Sequence, residues 1–254
     1  MLPAPPLHFA RSAIVGAAFA LAGCGGDGSD PLESTVFHFT FDGDLEGWEA
    51  GFADYPRGAS EAEQRAFDEF FELDSGHAFL PQPLNTADGA LMLSGNNHSD
   101  ALFMFLKRRI EGLDPDTSYQ LELQAEIATN VPRGCFGIGG SPGDSVFIKG
   151  GAIAVEPTRV PEAPDETFWV MNVDKGGQAD GGTDAQVLGD FANSKDCDSG
   201  DFSYELKNLS NLSLPAFRVT TDQDGVVWLL LGTDSGFEGT TTIFYTEIEA
   251  MFLR

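Results

Sequence analysis

Along most of the chain, apolar side chains recur at every second position. In Tyr119-Gln-Leu-Glu-Leu-Gln-Ala-Glu-Ile127 every odd position is apolar or aromatic and every even one is Gln or Glu. Such alternation describes a strand with one buried and one wet face, the habit of antiparallel sheets. Val36-Phe-His-Phe-Thr-Phe41 alternates in the same way and puts Phe37, Phe39 and Phe41 on one face. In 241–253 the period assigns Phe244, Thr246, Ile248, Ala250 and Phe252 to one side, with Tyr245, Glu247 and Glu249 on the other. Further strands are predicted over 89–94, 101–110, 145–155, 167–173, 215–221 and 225–232, separated by clusters of Gly, Asp, Asn and Pro. This spacing predicts an all-β fold, an antiparallel β-sandwich.

The helical period occurs once. Ser60-Glu-Ala-Glu63 forms a capping box, and the Gln64–Glu72 stretch behind it carries Phe67, Phe70 and Phe71 on one stripe. One short inserted helix is therefore expected. The segments 48–88 and 174–214 otherwise hold few strand signals and are predicted to be loops.

Neither period describes the N-terminus. Arg11 precedes the apolar run Ala13–Ala22, which is too short to span a bilayer but suits a signal-peptide hydrophobic region. The run ends in Leu21-Ala22-Gly23-Cys24, which resembles the lipobox of bacterial prolipoproteins. The resemblance implies a signal peptide over 1–23 and a diacylglyceryl group on Cys24; the Gly- and Asp-rich 24–34 reads as a flexible tether, and with no internal repeat or composition break beyond it, 35–254 reads as a single domain. The lipobox resemblance places the protein at the cell envelope, anchored in membrane by lipid. Gly25 after the cysteine is similar to the outer-membrane sorting signal of Gram-negative lipoproteins.

Charge narrows the partners. There are 40 acidic side chains against 14 Lys and Arg, a formal net charge of −26. Nucleic-acid binders need clustered cations to displace counterions, so nucleic acid is excluded as a partner. An acidic surface also avoids anionic lipid, which leaves membrane attachment to the acyl chains. Lys107-Arg108-Arg109, the one basic run, is read as the solvated end of a strand. With Cys24 lipidated, Cys135 and Cys197 remain as an even pair in an oxidising compartment, and a disulfide between them is expected.

Three short motifs sharpen the fold. Leu113-Asp-Pro-Asp-Thr-Ser-Tyr119 resembles the Leu-x-Pro-x-x-x-Tyr corner of fibronectin-like and carbohydrate-binding sandwiches. Phe41-Asp-Gly-Asp-Leu-Glu-Gly-Trp48 resembles the opening of galactose-binding-like jelly-roll modules, and Phe244-Tyr-Thr-Glu-Ile-Glu249 is similar to their closing strand. The resemblance implies a jelly-roll domain; with no catalytic residue to name, the leading function is non-catalytic binding at the cell surface, with glycan as the leading ligand class. In similar jelly rolls a structural calcium joins the first strand to the last, which here would use Asp42, Asp44 and Glu247. Trp48 is expected to pack under the opening motif and Trp228 in the core. Tyr55, in the Pro-stiffened segment Gly51-Phe-Ala-Asp-Tyr-Pro56, is the aromatic expected to meet a ligand from a loop. The alternative is a structural or protein-partner role without a small ligand; a hydrolase stands third.

Other chemistry is weaker. Gly139-Gly-Ser-Pro-Gly143 spells the G-x-S-x-G of a hydrolase nucleophile elbow. Pro142, however, has no N–H to give to an oxyanion hole, a strand rather than a helix follows, and all four histidines precede Ser141. Ser141 is read as a turn residue. His77 and His98 have no partner at zinc-ligand spacing. Asp222-Gln-Asp-Gly225 lacks the downstream Glu of an EF-hand loop and is read as a hairpin turn, and 174–184 is a further acidic loop.

Overall fold

In the computed structural model, which describes residues 33–254, the alternating segments become fifteen strands and one α-helix. The first third holds β1 (Ser34–Phe39), β2 (Glu49–Ala53), β3 (Tyr55–Pro56), α1 (Glu61–Phe70), β4 (Asp74–Phe79) and β5 (Gly89–Asn96). Next come β6 (Phe103–Ile110), β7 (Ser118–Thr129), β8 (Val146–Ile153), β9 (Arg159–Pro161), β10 (Phe168–Met171) and β11 (Gln186–Asp190). The chain finishes with β12 (Glu205–Ser210), β13 (Phe217–Thr220), β14 (Val227–Ser235) and β15 (Thr240–Leu253).

A seven-stranded sheet has the order β12-β7-β15-β5-β4, with β13 continuing β12 along β7 and β1 continuing β5 along β15. A five-stranded sheet has the order β11-β8-β14-β6-β2. Every pairing between strands is antiparallel. From β5 to β8 each connection crosses from one sheet to the other, which gives the expected jelly-roll sandwich. Leu121, Leu123 and Ile127 of β7 share one core with Leu106 of β6, Ile148 of β8 and Leu229 of β14. Burying such side chains contributes about 1.5–3 kcal/mol each.

Two motifs hold the turns as expected. The Tyr119 hydroxyl accepts the Asp114 N–H at 3.0 Å, closing the corner before β7. Trp48 is buried and meets Phe39 and Phe41 edge-on, with centroids 5.4 and 6.3 Å apart. Cys135 and Cys197 form the disulfide, across a sequence separation of 62, which on the chain-entropy model contributes about 4 kcal/mol.

Other expectations are corrected. The period of two is broken within β15, because the register shifts between Tyr245 and Glu247 and leaves Thr246 as an extra residue. A bulge of this kind flips the parity of everything beyond it. Ile243 and Tyr245 therefore share the buried face with Ile248, Ala250 and Phe252, while Phe244 turns outward against Leu80 and Ala90. Trp228 is not in the core but half-buried on the outer face of the five-stranded sheet, under the Lys107 ammonium at 5.4 Å. The turn at Asp222–Gly225 joins β13 and β14, which lie in different sheets, so it is not a hairpin. There Gly225, at φ +73°, has the Leu113 carbonyl 2.1 Å from where a Cβ would stand.

The segments 48–88 and 174–214 are not simply loops: they contain β2, β3, α1, β4, β11 and β12. Helix α1 starts as its capping box requires, with Ser60 Oγ accepting the Glu63 N–H at 3.3 Å. The Glu63 carboxylate reaches the Ala59 N–H at 2.9 Å. Phe71 is buried and Phe67 partly so, but Phe70 leaves the stripe and stacks on His98 at 4.2 Å.

Candidate functional site

The outer face of the five-stranded sheet is partly roofed. The small sheet β3-β10-β9 lies over one end and the loop 174–184 over another part. Beside this roof, at the β2 edge, an open cleft of about 430 Å³ remains. Its floor is Gly51 of β2 and the Phe105 ring of β6, and Glu49 and Lys107 stand along it. Gly51 is required there, since a Cβ would lie 2.4 Å from that ring. Asp68 of α1 and Thr158 and Arg159, entering β9, line the cleft as well.

The polar groups of the cleft are fixed by one another. Tyr55 donates its hydroxyl proton to Asp68 Oδ1 at 2.7 Å, and Gln64 Nε2 donates to the same Oδ1 at 2.8 Å and to the Tyr55 oxygen at 3.1 Å. Gln64 Oε1 in turn accepts from Trp169 Nε1 at 2.7 Å. Burial, reinforced by the bond to Asp68, pushes the Tyr55 phenol up, so it stays a donor at all ordinary pH. Arg159 donates to the Tyr55 oxygen. Its guanidinium lies 4.7 Å from the Trp169 centroid and 5.8 Å from that of Tyr55, a cation–π seat. Lys107 pairs with Glu49 at 3.6 Å and with Glu156. Asn172 braces the Glu156–Thr158 segment, accepting the Thr158 N–H at 2.8 Å and donating to the Glu156 carbonyl at 2.9 Å. The cleft is thus a preset array of donors and acceptors around an apolar floor.

No protein-family model matches the chain, and no curated protein matches it. Among solved structures it is similar to TmCBM61 in complex with β-1,4-galactotriose, at 8% identity and a TM-score of 0.37 over 83% of this chain and 92% of that one. It is also similar to TmCBM27, a carbohydrate-binding module that recognises mannan, at 11% identity and a TM-score of 0.38 over 87% and 98%. A third is the K1 cleaved adhesin domain of Lys-gingipain from Porphyromonas gingivalis W83, at 9% identity and a TM-score of 0.33 over 87% and 98%. At such identities no ligand and no residue role carries over to this chain.

The predicted site residues fare unequally. Tyr55 lines the cleft. It lies on β3 with its side chain fully buried, so its ring cannot stack on a ligand as a loop aromatic would. Asp42, Asp44 and Glu247 are not gathered into one cluster among the described residues. Glu247 is held by His38 at 2.7 Å, Asp44 accepts the Glu46 N–H at 2.7 Å, and among the described residues no three His, Cys, Asp or Glu are arranged to hold a metal. Ser141 opens a turn: its hydroxyl donates to Asp144 Oδ2 at 2.7 Å and accepts the Asp144 N–H at 3.1 Å, and β8 follows. Cys24 lies outside the described residues.

Sequence reasoning missed Glu49, Asp68, Lys107 and Arg159. Lys107 is no solvated strand end, with a side chain only 12% exposed. The acidic loop 174–184 also proves to hold a cation of the protein's own. Lys149 of β8 is fully buried, and its ammonium donates to the carbonyls of Lys175, Gly177 and Asp180 and to Asp234 Oδ2 at 2.9 Å. Lys175 joins Asp234 to Asp54, at 2.6 and 2.9 Å. Burial pulls the Lys149 ammonium below the ordinary lysine value against the attraction of Asp234.

Proposed function

We propose that this protein is a non-catalytic glycan-binding module, exported and held at the cell envelope by lipid on Cys24. The observation that carries the reading is the cleft at the β2 edge, where Glu49, Asp68, Lys107 and Arg159 surround the Phe105 floor. A sugar presents hydroxyls around its rim and apolar C–H groups on its faces. Fixed charged donors and acceptors serve the first, and the partly exposed apolar lining of Ala50, Phe52 and Leu73 serves the second. Because the groups are already bonded to one another, little side-chain entropy is lost on binding.

Affinity electrophoresis of the full-length protein through gels containing soluble polysaccharides tests this, with calorimetry on the matching oligosaccharides. At least one polymer should retard the protein. Glu49→Ala, on an exposed edge-strand side chain, should weaken that binding by about tenfold or more without moving the melting temperature. Migration unchanged in every polymer overturns the reading.

A protein-partner role is the second reading, and one observation favours it. Beside the disulfide, Phe136 is 102% and Ile138 72% exposed, two large apolar side chains on one short loop.

A further inference from the structure

The cleft contains a cation without a counterion, in a protein that has carboxylates in excess almost everywhere. With 40 acidic side chains against 14 basic ones, a solvent-accessible base ordinarily finds a carboxylate. Ten basic side chains among the described residues do so. The exceptions are Arg108, Arg159 and Arg218. Arg218 points outward from β13 and Arg108 packs over Phe39. Arg159 alone of the three lines the cleft. The one hydrogen bond of its guanidinium is to the Tyr55 hydroxyl, which leaves its other N–H donors without a partner among the described residues.

The seat of this guanidinium is built. Trp169 and Tyr55 hold it by their ring faces, and both rings are locked by Gln64 and Asp68 of α1. An arginine fixed in this way offers a planar fork whose geometry matches a carboxylate, two parallel N–H groups to two oxygens. The acidic groups nearby limit what can reach it. Asp68 and Glu49 line the same cleft. They would repel a densely charged chain, whereas a single carboxylate carried on a sugar ring fits against one fork.

We propose that the cleft selects glycans containing uronic acid, with Arg159 as the specificity-determining residue that pairs with the uronate carboxylate. This rests on the glycan-binding reading of the same cleft. Tyr55, Gln64 and Asp68 act as positioning residues behind it.

The test compares glucuronoxylan oligosaccharides, which carry one uronate on an otherwise neutral chain, with their carboxyl-reduced, neutral counterparts by calorimetry on the full-length protein. Heavily sulfated dextran and unsubstituted dextran serve as further probes. The acidic oligosaccharides should bind about tenfold to hundredfold more tightly than the reduced ones, and salt should weaken only the former. Arg159→Gln should erase that preference. Arg159→Lys, which keeps the charge and the packing but loses the fork, should retain part of it, and it serves where the Gln variant does not fold. Equal binding of acidic and reduced chains overturns the uronate assignment and leaves glycan binding standing. Tighter binding of the sulfated polymer also overturns it. Binding of no polymer at all removes both readings.

Discussion

Tyr245 buries its entire side chain, and its hydroxyl finds no partner there. Burial alone pushes the phenol up, and the group holds its proton. An unpaired buried hydroxyl costs about 1–3 kcal/mol of desolvation. Tyr245→Phe is therefore expected to leave stability unchanged or raise it by about 1 kcal/mol, read from the midpoint of urea unfolding. A clear loss of stability would mean that the hydroxyl is bonded after all. Single residues were the hardest level to read from the chain. Arg159 has no local pattern around it. What gives it a role is Tyr55, which is 104 residues away in sequence and adjacent only after folding. Tyr55 itself was legible as an important aromatic but not as a buried one, because nothing local says that α1 will cover it. Lys149 did carry a signal, a lone charge inside Val146-Phe-Ile-Lys-Gly-Gly-Ala-Ile153, and a charge in such a run must find partners when it is buried.

At the scale of elements, the loop 174–184 is ordered from within. The Asp174 carboxylate accepts the N–H groups of Gly176 and Thr183 at 3.0 and 2.9 Å, while the loop's carbonyls close on the Lys149 ammonium. The arrangement has the form of a cation site whose cation is covalently part of β8. Lys149→Met keeps the length of the side chain and removes the charge. It should cost about 3 kcal/mol or more and speed hydrogen exchange at Gly176 and Thr183 ahead of the rest of the domain. Unchanged exchange there would show that the loop does not depend on the ammonium. The strands that the periodicity missed share a position: β12 and β4 edge the seven-stranded sheet, β11 and β2 the five-stranded one, and β3 and β9 the small one. An edge strand has one paired side and often two partly wet faces, so its residues need not alternate. Asp74-Ser-Gly-His-Ala-Phe79 and Glu205-Leu-Lys-Asn-Leu-Ser210 show this. Central strands such as β7, flanked on both sides and buried on one face, were fully legible. The bulge in β15 was not, since one extra residue leaves no mark in composition.

At the scale of the whole molecule, the net charge of −26 sets the field that any partner meets, and the cleft at the β2 edge interrupts it with Arg159 and Lys107. Anchoring belongs to this scale as well. If lipid on Cys24 holds the protein at the envelope, Cys24→Ala should move it from the membrane fraction to the soluble fraction and abolish labelling by a radioactive fatty acid. Unchanged fractionation would remove the anchor. The sandwich and its corner motifs were readable because they rest on repeated, local patterns. The cleft was not, because it is assembled from β2, α1, β6 and β9, which are brought together only by the fold. Strand β15 carries a last consequence. It is the middle of its sheet, pairing β7 on one side and β5 and β1 on the other. Yet it is drawn from residues 240–253, the last of the domain to be made. A chain emerging from its N-terminus therefore carries β1 without a partner and two unjoined fragments of sheet until the end. It cannot lock early: the seven-stranded sheet closes only when β15 is in place to join those fragments.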